Sequence, residues 1–164
     1  MRTIDNIGAW VARVTSWLII VMASVMMIAL ILQIIFRYVF NSSLSWSEEL
    51  ALFLFTWVVL LAGSIGVREH MHVRLILVRD RFAPFGRKCF DFFAEGLTLS
   101  FGLLLLFKGW DYTVATAEQG MVSAAVRYPL QYLYFVAPLA GGLIVFHATI
   151  NMLHLFLNDE EPQT

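Results

Sequence analysis

Residues 14–36 run for 23 positions without a formal charge, and this feature limits the fold more than any other. A helix over this run rises about 1.5 Å per residue and reaches roughly 35 Å, enough to cross a hydrocarbon core of about 30 Å. Backbone amides inside lipid find no water, so a spanning segment of this length satisfies them within its own helix. A secretory signal has an apolar core of about 7–15 residues followed by small residues. This run is longer and closes on Ile35-Phe36-Arg37-Tyr38, which predicts a retained span.

Three further runs follow. Leu50–Val67 is 18 residues long and is closed by Arg68-Glu69. Phe90–Phe107 admits Asp91 and Glu95 near its start and continues past Lys108 to about Gln119, where Gly120 can stop a helix in the left-handed conformation. Tyr128–Asn158 carries no Asp, Glu, Lys or Arg for 31 residues. That is too long for one straight span and too short for two with a turn between them, so a tilted or kinked helix is expected, with Pro138 and Gly141-Gly142 as the places for a kink. The expected architecture is an all-α integral membrane protein with a single membrane domain over 1–164. Its four transmembrane helices cover about 14–37, 47–67, 90–117 and 129–157.

The composition agrees. Hydrophobic residues make up 60% of the chain and charged ones 14%, against roughly 45–50% and about 25% in soluble domains. This excludes a disordered chain, a collagen, a coiled coil and an ordinary soluble enzyme. With 11 basic and 12 acidic residues there is no cationic excess to attract nucleic acid. The lone Cys89 forms no internal disulfide and builds no cysteine-rich metal site.

Basic residues orient the spans. The N-terminus, second loop and tail share one side and hold eight of the 11 basic residues, so both termini are expected in the cytoplasm. Within the second loop, Met71, Leu75, Val78 and Phe82 recur on one helical face, which predicts a short amphipathic interfacial helix over about 70–83. Arg74, Arg79, Arg81, Arg87 and Lys88 are then expected at anionic lipid headgroups, each contributing about 1 kcal/mol.

Chemistry-bearing residues are sparse. His70 and His72 flank Met71, and His147 and His154 lie seven apart on the last span. As ligands they would make the chain a haem-binding membrane anchor of an oxidoreductase, which needs imidazoles facing each other from different helices. As packing or interfacial histidines they need no cofactor. This second use is the one expected, with no cofactor, metal or catalytic residue assigned. A stand-alone small channel is a further alternative. Asp91 and Glu95 share a face near a span end, where pairing, with Lys88 beside Asp91, is the plain use. Lys108 and Asp111 are expected to pair, and Gln33 to bond a neighbouring helix. Ser45-Trp46-Ser47-Glu48 matches a capping box and starts the second span at Ser45. Arg37 is a candidate partner for Glu48 or Glu49. Trp57 lies two turns inside the second span, so its indole N–H needs a partner. Ala62/Gly66, Gly96/Ser100 and Ala137/Gly141 have the spacing of close helix contacts.

Arg37-Tyr38-Val39-Phe40, Trp46-Ser47-Glu48-Glu49-Leu50, Trp57, Gly63 and Arg68-Glu69-His70-Met71-His72-Val73, with Tyr128-Pro129, Tyr132, Pro138 and Gly141 later, resemble the small, Q-type (DctQ-like) membrane subunit of TRAP (tripartite ATP-independent periplasmic) transporters. One departure is Arg74, where that family often has an acid. The resemblance implies sodium-driven uptake of organic acids such as C4-dicarboxylates or sialic acids across a bacterial inner membrane. It implies two protein partners: a periplasmic substrate-binding protein, and a large polytopic subunit that holds substrate and sodium and moves as an elevator. The small subunit then serves as static scaffold. Arg37, Trp46, Glu48, Glu49 and Trp57 become candidate subunit or periplasmic-protein contacts, with a purely local role for the two glutamates as the alternative.

Overall fold

The computed structural model describes residues 2–42, 44–68 and 84–157. Five helices account for nearly all of them: α1 (Arg2–Val39), α2 (Ser45–Arg68), α3 (Pro84–Glu118), the one-turn α4 (Gln131–Tyr134) and α5 (Val136–Leu157). Four stretches, Asn6–Val39, Ser45–Arg68, Phe90–Glu118 and Gln131–Leu153, are long and apolar enough to cross a membrane, as expected. The expected interfacial helix over 70–83, with Arg74, Arg79 and Arg81, lies outside the described residues. So do the side chains of Arg87 and Lys88.

Helix ends follow local chemistry. Asn41, a type that tolerates left-handed backbone, turns the chain after α1 at φ 50°, and the Ser42 N–H closes on the Phe36 carbonyl at 3.1 Å. Gly120, at φ 61°, stops α3 as the sequence predicts. The last run breaks at Phe135, between α4 and α5. The break is explained by Pro138: it has no N–H for the Tyr134 carbonyl four residues back, and its ring crowds that carbonyl. The kink therefore lies one turn before the proline rather than at Gly141-Gly142.

The helices pack in the order α1–α2–α5–α3, and among the described residues α1 and α3 share no packed seam. The central pair is the more enclosed, with 28% of the most apolar window buried in α2 and 39% in α5, against 6% in each outer helix. Val67, Ile144 and Ala148 form the small core, with Leu99 and Leu105 packed on it. The tightest approach joins α3 to α5. A Cβ built on Gly141 would lie 2.5 Å from the Leu106 amide nitrogen and 2.8 Å from the Gly102 carbonyl oxygen. Pro138 seats against Gly109 in the same way, at 2.9 Å from that residue's would-be Cβ. The close contacts thus use Gly102, Gly109, Ala137 and Gly141. Of the expected pairs Ala137/Gly141 takes part, whereas Ser100 and Ala62 are exposed and a Cβ on Gly96 would meet nothing within 4 Å.

Hydroxyls within the spans are satisfied locally. Thr15, Ser24, Thr56, Thr98, Ser100, Thr113, Thr116 and Thr149 each donate to the carbonyl four residues earlier, which removes an unpaired donor from an apolar setting.

Candidate functional site

Glu48 and Glu49 are neighbours in sequence but point to different elements, because successive residues on an α-helix are rotated by about 100°. The Glu48 carboxylate accepts from Gln33 Nε2 at 2.5 Å and joins α2 to α1. It does not fold back as a capping box. The first turn of α2 is closed instead at the Leu44 carbonyl, which accepts from the Ser47 N–H at 3.1 Å and its Oγ at 2.7 Å. Gln33 thus finds a neighbouring helix, as expected.

Glu49 faces the segment between α3 and α4. Its carboxylate accepts from Ser123 Oγ at 2.6 Å, the Ala125 N–H at 2.6 Å and the Val126 N–H at 2.9 Å. These donors belong to a small hairpin. Val122 bridges Pro129, the Ser123 N–H bonds the Tyr128 carbonyl at 2.9 Å, and the Leu130 N–H bonds the Met121 carbonyl at 3.0 Å. Arg127, at φ 57°, completes the tip.

Glu49 is the first rung of a ladder. Phe53 and Trp57 follow at four-residue steps and so share its face of α2. The Phe53 ring meets Tyr128 edge-on at 5.6 Å and stacks on Trp57 at 5.7 Å. Trp57 Nε1 then donates to the Tyr132 carbonyl at 3.2 Å. The chain from Ser123 to Tyr132 is thereby fastened down one face of α2 by a carboxylate, a ring and an indole. Burial, and after it the negative charge of Glu49, holds the Tyr128 phenol above its ordinary pKa.

A second polar knot sits at the other end. Asn151 Nδ2 donates to the Val67 carbonyl at 3.1 Å and to Glu95 Oε1 at 3.3 Å, tying α5 to α2 and α3. His147 lies one turn earlier and is 2% exposed.

The candidates named from sequence separate into two groups. Glu48, Glu49 and Trp57 hold elements of this chain together. Arg37 and Trp46 are exposed at the same end, and Arg37 forms no ion pair with either glutamate among the described residues. Lys108 and Asp111 pair at 3.5 Å, as expected. Sequence reasoning does not find the partners Ser123, Ala125, Val126 and Tyr128, nor the Asn151 knot. The four-residue spacing of Glu49, Phe53 and Trp57 is the available signal. Of the possible haem ligands, His147 is buried among helices, whereas His70, His72 and the His154 side chain lie outside the described residues.

The sequence matches known proteins along most of its length. The family described as "Tripartite ATP-independent periplasmic transporters, DctQ component" matches residues 26–158. A C4-dicarboxylate TRAP transporter small permease protein of Vibrio cholerae is 29% identical over 108 residues, 66% of this chain and 47% of that protein, so the chain spans about half of that relative. A protein named as a TRAP transporter small permease protein in Haemophilus influenzae is 24% identical over 140 residues, 85% of each chain. A sialic acid TRAP transporter permease protein of Haemophilus influenzae is 34% identical over 117 residues, 71% of this chain but only 19% of that protein.

Proposed function

Since the chain belongs to the DctQ-component family of the tripartite ATP-independent periplasmic transporters, we propose that it is the fixed, non-catalytic frame of a sodium-coupled importer of organic acids. It is a multi-pass inner-membrane component of a transporter. In this reading, substrate and sodium sites lie in a large polytopic subunit beside it, a periplasmic protein delivers a C4-dicarboxylate or sialic acid-type substrate, and both termini lie in the cytoplasm. The observation that carries the proposal is how the polar side chains in the spans are used. Gln33, Glu48, Glu49, Trp57 and Asn151 each bond another element of the same chain. Such groups rigidify rather than form a path for a solute. The sialic acid relative supports a large membrane partner, because there the matching segment is 19% of a single permease polypeptide.

Exposed Arg37 and Trp46 are the proposed contacts to the partner or to the periplasmic protein, while Glu48, Glu49 and Trp57 fix the surface behind them. Arg74, Arg79, Arg81, Arg87 and Lys88 serve lipid headgroups at the cytoplasmic side.

The test is a gentle-detergent purification of the tagged chain from its native membrane, followed by reconstitution with what co-elutes. The expected result is one large polytopic partner in fixed ratio and uptake of an organic acid that needs a sodium gradient and both chains. A chain that elutes alone, or a partner that transports equally well without it, would overturn the scaffold role.

A further inference from the structure

The hairpin held by Glu49 has an unusual make-up for a turn. Tight turns use Gly, Asn, Asp or Pro, which tolerate the required backbone or bond it locally. The tip here is Ala124-Ala125-Val126-Arg127, and the residue in left-handed backbone is Arg127. Its sequence therefore does not make the turn on its own. The Glu49 carboxylate does so, by collecting Ser123 Oγ and two successive tip N–H groups.

What is held in this way is apolar and outward. Met121 is 44% exposed, Val122 52% and Val126 50%, while Ser123 beneath them is buried. Arg127 is exposed beside them and makes no hydrogen bond or ion pair among the described residues. The hairpin is bounded by α3, which ends at Glu118, and by α4, which starts at Gln131, and both belong to stretches long and apolar enough to cross the membrane. With so few residues outside them, it lies at the bilayer surface. Exposed Trp46, three residues before Glu49, lies at the same end of the helices as the hairpin, and Trp concentrates at that depth. Apolar side chains next to an unpaired guanidinium, joined directly to two spans, complement the acyl–phosphate boundary of a phospholipid leaflet.

We propose that the Met121–Leu130 hairpin is a phospholipid-interface anchor, in which Met121, Val122 and Val126 enter the boundary between headgroups and acyl chains and Arg127 meets lipid phosphate. Glu49 is its positioning residue. The anchor is independent of any transport role.

The test uses the full chain, with Cys89→Ser and Val126→Cys, labelled with the fluorophore NBD in nanodiscs of phosphatidylcholine and phosphatidylglycerol. The expected emission is blue-shifted, with iodide quenching several-fold weaker than for the free dye and strong quenching by lipid carrying a doxyl group at acyl carbon 5. The same result is expected with and without a co-purified partner. Iodide quenching equal to that of the free dye would overturn the proposal. So would protection that arises only when a partner protein is bound, which would assign the surface to protein instead. With Glu49→Gln added, the protection is expected to fall, and unchanged protection would remove Glu49 from its positioning role. If that variant does not fold, the Val126→Cys chain with Glu49 intact still decides whether the hairpin enters lipid.

Discussion

A single methyl group on Gly141 should loosen the α3–α5 seam, whereas the same change at Gly96 should stabilise the chain. At Gly141 the added carbon would sit 2.5 Å from the Leu106 nitrogen, 2.8 Å from the Gly102 oxygen and 3.0 Å from the Leu105 carbonyl carbon. Ordinary contacts lie near 3.5–4.0 Å, so α3 has to retreat by roughly 1 Å. The obstructing atoms are backbone, and no rotamer change moves them aside. A gap of about 0.5–1 Å forfeits a quarter to a half of each dispersion contact along the seam, and overpacking of this kind typically costs about 1–3 kcal/mol. At Gly96 a Cβ meets nothing within 4 Å, so the helix propensity of alanine acts alone and favours the variant by about 0.5–1 kcal/mol. For a chain of this size 1 kcal/mol moves Tm by about 2–4 °C. Thermal unfolding in detergent, followed by tryptophan fluorescence, should show Gly141→Ala melting about 2–12 °C below the parent and Gly96→Ala slightly above it. Equal destabilisation of both, or a neutral Gly141→Ala, would refute a backbone-to-backbone seam at Gly141.

The polar ties make two further predictions. Glu49→Gln replaces an oxygen by an N–H₂ facing N–H donors, so amide exchange at Ala125 and Val126 should become several-fold faster by hydrogen-exchange mass spectrometry, while Glu48→Gln should leave those amides unchanged and loosen α1 from α2 instead. Asn151→Leu loses both bonds from Nδ2. Polar contacts between membrane helices average about 0.6 kcal/mol and reach about 1.7 kcal/mol, so unfolding in graded SDS should shift by that order, and stability equal to the parent would show that the amide does not hold the three helices.

The four spans are legible because hydrocarbon imposes one requirement, and every segment that meets it looks alike. The same uniformity hides the order of packing. α1 is apolar all round, so its periodicity does not separate the face toward α2 from the face toward lipid. Small residues are legible as a class but not as positions: Gly96 and Gly141 both belong to four-residue small-residue pairs, yet of the two only Gly141 meets another backbone. Trp57 is correctly assigned a need for a partner, since an indole N–H inside a span has to be answered. Its acceptor, the Tyr132 carbonyl, lies 75 positions further along in the one-turn α4, and local sequence does not disclose that pairing. The hairpin escapes a sequence reading because Ala-Ala-Val-Arg carries no turn residue, and its shape is dictated by a carboxylate more than 70 positions away. Glu48 and Glu49 read together as one patch, although a helix sends adjacent side chains to different neighbours.

The order α1–α2–α5–α3 has a consequence for assembly. A bundle closed in a ring is finished, and a further helix can only lie across its outside. A row is not finished. Among the described residues it has two free margins, α1 and α3, and either can receive another helix without any contact inside the row being broken. Growth at a margin also widens the object in the plane of the membrane rather than thickening it around an axis. A plank of this kind turns less readily about its long direction than a cylinder of equal mass, and each helix added at its edge makes it harder to roll.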